Sequence, residues 1–250
     1  FFDVKPILNQ KKYPYLKQHF IGWFIKTKEA IFDDSEVKFM DFTIKQDGNT
    51  RFMYVLPTSK TEALFEYTLF SEDLLEKTEY ENAISNYLQN IGITNYEIME
   101  KETGNIPMTC FPFHNQNSER ILFIGTAGGW TKASTGFTFF NSKKQSDKLI
   151  EFLKNNQNLS KFHQKNRYWF YDLILLEVLH QNNELGGQLF GTLFQKNNIQ
   201  NIFQFLNEEG TIFSDLKVML TLPKRLFIKA TFRAFWKLLK KKNEFLSFNH

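Results

Sequence analysis

Residues 120–140 read RILFIGTAGGWTKASTGFTFF. An apolar run, Ile121, Leu122, Phe123 and Ile124, leads into a loop holding Gly125, Gly128 and Gly129. The run reads as a strand, and Ser134 or Thr135 as the N-cap of a helix continuing towards Asn155. A strand that ends in a glycine turn lets backbone approach a ligand closely, because glycine has no Cβ. Amides at the start of the following helix favour an anion or an electron-rich ring edge. A tight strand-to-helix turn with no ligand gives the same pattern. Neither GxGxxG nor the lysine-bearing P-loop is present, so the loop alone names no nucleotide.

Working outward, 250 residues are enough for one large domain or two intimate ones. The sequence opens Phe1-Phe2-Asp3 without an initiator Met and without a signal peptide, and reads as a fragment. A single cysteine, Cys110, excludes a disulfide framework and a cysteine-based zinc site, and fits a reducing compartment. The five histidines form no HxxxH or HxxE pattern, so no metal site is expected. The net charge of +4 is too mild to point to nucleic acid. Phe occurs 29 times, which implies a large aromatic core or a cavity for a long apolar ligand. The longest apolar stretch, residues 168–179, carries Asp172 and Glu177 and falls short of the ~18 apolar residues of a membrane span.

The first half reads as strands at 18–26, 37–45, 51–57 and 62–70, rich in aromatic and β-branched residues. Asp47-Gly48-Asn49 between the second and third is a hairpin signal, since these residues tolerate positive φ. An antiparallel meander is expected, then a helix over 76–90 ending at Gly92, then extended chain over 95–125. From about residue 160 the chain reads as helices at 166–181, 184–196, 198–208, 212–221 and 225–242. The last is amphipathic and basic, with Phe235 and Trp236 set against Arg225, Lys229, Arg233, Lys237 and 240–242. Such a helix suits an anionic membrane surface, or equally a soluble helix with a solvated charged face.

Glu66 is the candidate for proton chemistry. On a strand, Leu64, Glu66, Thr68 and Phe70 share one face. A carboxyl on a partly apolar face has its pKa raised by desolvation and holds its proton near neutral pH. A solvent-facing or salt-bridged glutamate is the alternative. Asp41 also lies on a strand among aromatics and is a weaker candidate, to orient the acid or face the same cavity. His19 reads as a structural, hydrogen-bonded histidine, Tyr54, Pro57 and Ser59 as structural, and Glu208 and Glu209 as a solvated helix end.

Several ordered stretches together resemble the flavin-dependent lycopene cyclases of carotenoid synthesis. They are QHFIGW (18–23), FMD (39–41), RFMYVLPTSKTEALFEYTLFS (51–71), IPMTCFPF (106–113), IGTAGGWTKASTGFTF (124–139), YWFYD (168–172) and FLNEE (205–209). The likeness runs from residue 2 to about residue 235. It implies an α/β (α+β) flavoprotein fold: a Rossmann-like FAD/NAD(P)-binding part, an antiparallel-sheet substrate domain over 1–100, the end of the FAD domain over 101–158, and a helical region over 159–250. The N-terminal βαβ with GxGxxG, expected to bind the ADP half of FAD, is absent, and Phe1-Phe2-Asp3 looks like the strand just before the substrate domain. Ala133 stands where many relatives have proline.

The resemblance further implies that Gly125, Thr126, Ala127, Gly128, Gly129, Ser134, Thr135 and Gly136 line FAD, reduced by NAD(P)H. Glu66 matches the first glutamate of the plant Phe-Leu-Glu-Glu-Thr motif and Tyr67 the second. Glu66, with Asp41, would then protonate the end of lycopene and close it to a β-ionone ring without net redox change. A hydrocarbon substrate dissolved in lipid implies a protein associated peripherally with the inner face of the cell membrane. Flavin monooxygenases and prenyl reductases share the fold but lack the Phe-Glu-Tyr-Thr strand, and a non-catalytic carotenoid-binding protein is a third class.

Overall fold

The computed structural model describes residues 12–163 and 166–247, without the side chains of 240–247, so Phe1-Phe2-Asp3 and the lysines at 240–242 lie outside the description. The architecture is mixed α/β, an antiparallel sheet followed by a helical C-terminal part, as expected. The chain divides into two compact units, one formed by 17–106 with 182–191, the other by 1–16, 107–181 and 192–250.

The first unit is built on strands β1 (Leu16–Lys26), β2 (Lys38–Asp41), β3 (Thr50–Pro57), β4 (Glu62–Ser71) and β5 (Glu97–Met108), in the order β2-β3-β4-β1-β5. Only β2, β3 and β4 form the expected meander. β1 instead pairs antiparallel with β4, because the long link over 27–37 frees it from the β2 edge. The turn over 47–49 behaves as read, with Asp47 and Gly48 at positive φ. β2 stops at Asp41 rather than running to 45, since Met40 also takes positive φ and the Asp41 carboxylate accepts from the Thr43 amide to close a turn.

Helix α1 (Lys77–Asn90) packs on one sheet face. Its Tyr80, Ile84, Tyr87 and Leu88 meet Ile21, Trp23, Met53, Phe65 and Leu69 in the core. Alternation explains the strand half of this core, because every second residue points to α1. Residues 182–191 close one end of the opposite face. Asn183 Oδ1 accepts from the Thr50 amide at 2.9 Å while its Nδ2 donates to the Phe70 carbonyl at 2.8 Å, bridging β3 and β4. Phe190 stacks on Phe42 and meets Phe70 edge-on.

In the second unit the run 121–124 is not a strand, which corrects the sequence reading. Ile121 and Ile124 are exposed, and their neighbourhood is held by local bonds: Ser118 Oγ accepts from the Ile121 amide and Asn117 Oδ1 from that of Phe123. Apolar β-formers make a strand only where an adjacent strand takes up their backbone groups. A 3₁₀ turn, Gly125–Gly128, follows, and helix α2 (Phe139–Asn155) begins later than expected. Neither Ser134 nor Thr135 caps it, because residues 133–136 form their own turn, with Gly136 at φ 72°. The remaining helices fall close to the sequence reading: α3 (Arg167–Gln181), α4 (Gly186–Lys196), α5 (Ile199–Leu206), α6 (Ile212–Met219) and α7 (Lys224–Ser247). α7 lies along α3 through Ala230 and Ala234, and Lys237 pairs with the buried Glu177 of α3.

Candidate functional site

Glu66 sits mid-strand in β4, opposite Tyr54 of β3 and Gly22 of β1. It points to the sheet face away from α1. That face carries Phe20 and Phe24 from β1, Phe52 and Tyr54 from β3, and Leu64 and Phe70 from β4, with Phe39 packed against Tyr54. Burial pushes the Glu66 carboxyl up to about 7, opposed by the Thr68 hydroxyl, which donates to Oε1 at 2.5 Å, and reinforced by the Glu102 carboxyl of β5. The arrangement is a carboxyl of raised pKa on an aromatic surface. Sequence reasoning missed Glu102, because the stretch around it shows only charged alternation on an extended segment.

Asp41 is not part of this cluster. It pairs with Met53, so it lies on the α1 face, opposite to Glu66. Tyr87 of α1 donates to its Oδ2 at 2.6 Å. Burial raises its pKa, but the Tyr87 and Thr43 hydrogen bonds and Lys38 outweigh it and leave the carboxyl lowered. Its geometry is that of an ionised turn cap, and the one-residue difference in register parity forbids it from orienting Glu66.

His19, on the α1 face, is tied on both ring nitrogens, to Ser71 Oγ at 2.7 Å and Tyr80 Oη at 2.6 Å. Burial, with Lys17 and Arg51 adding to it against the Asp73 carbonyl, lowers its pKa to about 4. Its stability contribution is complete above the unfolded value of about 6.5 and is lost as pH falls towards 4. Glu66 runs the other way: its raised pKa gives stability that is lost as pH rises through about 7. The two slopes oppose each other between about pH 4.5 and 6.5. Urea unfolding of a Glu66→Gln variant is therefore expected to unmask a steeper loss of stability on acidification over that window than the parent shows, and a His19→Gln change on top should flatten it.

The glycine loop belongs to the second unit. The amides of Gly128, Gly129 and Trp130 are already bonded to the carbonyls of Ile124, Thr126 and Gly125. A Cβ at Gly128 would stand 2.1 Å from the Phe123 carbonyl oxygen, and one at Gly129 would press on the Phe113 ring. These two glycines, like the left-handed and buried Gly136, serve the fold of the loop itself. Ser134 is also committed inward, its hydroxyl donating to Asp172 Oδ1 at 2.7 Å.

Gly125 has open space where its side chain would be, at φ 57°. Thr126 and Ala127 stand beside it on the first turn, whose amides have no acceptor within the turn. Thr135 Oγ1 is buried without a hydrogen-bond partner. The open face at Gly125 and the free amides of the first turn suit a polar ligand edge, and the partnerless Thr135 hydroxyl is the one buried side-chain group of this loop left without a bond. The cavity under the loop, about 130 Å³ and lined by Thr131, Lys132, Asp172 and Glu208, is well below the ~300 Å³ of a cofactor pocket.

That cavity exposes a feature the sequence hid. Lys132 is almost fully buried, with Nζ 2.9 Å from Asp172 Oδ1 and 3.2 Å from Glu208 Oε1, over the Tyr168 ring. Glu208, expected as a solvated helix end, is thus one arm of an internal ion cluster that clamps the loop to α3. Among the described residues no group of three or more His, Cys, Asp and Glu is placed to hold a metal ion, and no helix is long and apolar enough to cross a membrane.

No curated protein matches this sequence significantly. Among solved structures, a geranylgeranyl bacteriochlorophyll reductase-like protein of Thermoplasma acidophilum aligns over 94% of this chain at 12% identity and a TM-score of 0.42. The alignment takes in 56% of that protein, so the chain spans about half its length. The family model described as lycopene cyclase protein matches residues 1–233, from the opening residues into the first part of α7, and the chain belongs to that family.

Proposed function

We propose that the protein is a lycopene β-cyclase in which Glu66 is the general acid. The observation that carries this reading is a carboxyl with its pKa raised to about 7 on an aromatic sheet face, in a chain of this family. Closing the end of a polyene starts with a proton delivered to a terminal double bond. Glu66 can hold that proton at neutral pH and lie against hydrocarbon while neutral. The cation that follows would be stabilised by part-exposed ring faces such as Phe20, Phe24 and Tyr54, on an apolar surface that offers little water to trap it. The carboxylate left on Glu66 then accepts the proton lost from the ring, so the residue ends as it began.

Gly125, Thr126, Ala127 and Thr135 are the residues we assign to FAD. Reduced flavin, with NAD(P)H as its electron source, would supply an electron-rich ring when bound. Asp41 and the inward-facing Gly128, Gly129, Ser134 and Gly136 are left with structural roles in this reading.

The full-length protein, expressed in lycopene-accumulating bacteria, is expected to yield a cyclic carotene of unchanged mass. Oxygenated or hydrogenated products would instead favour a flavin monooxygenase or prenyl reductase. Polyene bound but never changed would favour a carotenoid-binding protein.

We also assign a membrane-surface role at the inner face of the cell membrane to the C-terminal helices. On α7, Ile228, Phe232, Phe235 and Trp236 form an exposed apolar stripe beside Arg225, Lys229 and Arg233, and Phe213 and Leu220 are exposed on and next to α6. Replacing Phe232 and Trp236 with serine is expected to weaken co-sedimentation with vesicles containing anionic lipid at least tenfold. Unchanged binding would remove this assignment.

A further inference from the structure

We infer that Glu102 is the positioning partner of Glu66: the two carboxyls meet across Gly22 and share one proton, and Gly22 lacks a side chain so that they can meet. The inference rests on the reading of Glu66 as the acid and deepens it. β4 and β5 lie on either side of β1, so their backbones stand about 9.6 Å apart, two strand spacings. Two glutamates reach each other over that distance only if the residue between them does not rise from the sheet. Gly22 is that residue, directly opposite Glu66. A Cβ there would lie 2.8 Å from Glu102 Oε1 and 2.9 Å from its Cγ, which shows the Glu102 side chain folded over β1.

Two ionised carboxylates are both acceptors and repel each other, so a pair in hydrogen-bonding contact retains a proton. Few other polar groups face the pair: Tyr54 on β3, Thr68 on β4 and Gln18 on β1, while the ion pair of Lys26 and Glu62 closes on itself at 2.7 Å at the strand end. The proton balance is simple. Glu66 gives its proton to a double-bond carbon and the π pair forms the new C–H bond. Ring closure moves the cation, and loss of a ring proton restores both the double bond and the protonated pair. No oxidant or reductant is consumed. Glu102 does not touch the reacting carbon; it keeps the proton on its neighbour.

The test uses the full-length protein as Glu102→Gln and Gly22→Ala variants, the alanine pushing Glu102 aside. Infrared titration of the carboxylic C=O signal that Glu66→Gln removes is expected to show a midpoint near 7 in the parent. In both variants it should fall by about one pH unit, a tenfold change in proton affinity. The alkaline limb of the lycopene turnover profile should move with it, while turnover at acid pH survives. An unmoved infrared midpoint in both variants overturns the proposal. So does loss of turnover at every pH in a folded Glu102→Gln protein whose signal still titrates, because Glu102 would then act directly. A parent that shows the shared proton but leaves lycopene unchanged would retain the pair and sink the cyclase reading.

Discussion

Glu66→Gln is expected to reduce lycopene cyclisation by about 10²–10⁴-fold, the usual contribution of a positioned general acid. The amide fills the same volume and still accepts from Thr68, but it has no acidic proton to give. The same change should stabilise the fold. At pH 8 the parent buries an ionised carboxylate whose pKa the site has raised to about 7, and the amide removes that cost, on the order of 1–3 kcal/mol. Lost turnover together with a raised urea midpoint at pH 8 is therefore the expected pair of results. Lost turnover with a lowered midpoint would mean that the variant fails through its fold. Cyclisation that survives in the variant would dismiss Glu66 as the acid.

The largest effect on stability is expected at Lys132. Lys132→Met deletes the cation between Asp172 and Glu208 and leaves Asp172, itself nearly buried, without its counter-charge. Breaking a buried pair from one side costs about 3–5 kcal/mol, against a total stability of roughly 5–15 kcal/mol. Burial already raises the Asp172 pKa against the pull of Lys132, so the orphaned carboxyl is expected to take up a proton. Adding Asp172→Asn should recover most of the loss, since replacing both members of a buried pair is often nearly neutral. Chemical denaturation of the two variants measures this. Limited proteolysis should report cleavage around residues 125–138 in the single variant, because the cluster and the Ser134–Asp172 bond hold that loop on α3. A single variant as stable as the parent would show that Lys132 clamps nothing.

Much of what could be read locally in this sequence was read correctly, although the turn after Asp41 that ends β2 was missed. Strand alternation placed Glu66 with Leu64, Thr68 and Phe70, and the Asp47-Gly48 turn and the helices beyond residue 166 followed from short-range signals. The reading failed where an element needs a distant partner. Residues 121–124 have every propensity of a strand and are not one, because among the described residues no neighbouring strand takes up their backbone groups. Ser134 looks like a helix cap, yet its hydroxyl is drawn 38 positions along the chain to Asp172. Asp41 has the composition of a site residue but the wrong parity, since it faces Tyr87 on α1.

The sequence by itself carried the family resemblance, most of the helices and strands, and the placing of Glu66 on one strand face, because motifs, period-2 alternation and turn chemistry are properties of neighbouring residues. Only the tertiary structure decided what surrounds that acid. It placed β1 between β4 and β5, so that Gly22, 44 positions before Glu66, opens the space in which Glu102 arrives. It also buried Lys132 between two carboxylates that lie 40 and 76 positions further on. A carboxyl's proton affinity and a lysine's burial depend on what packs against them, and strand order and helix packing bring those neighbours together from remote parts of the chain.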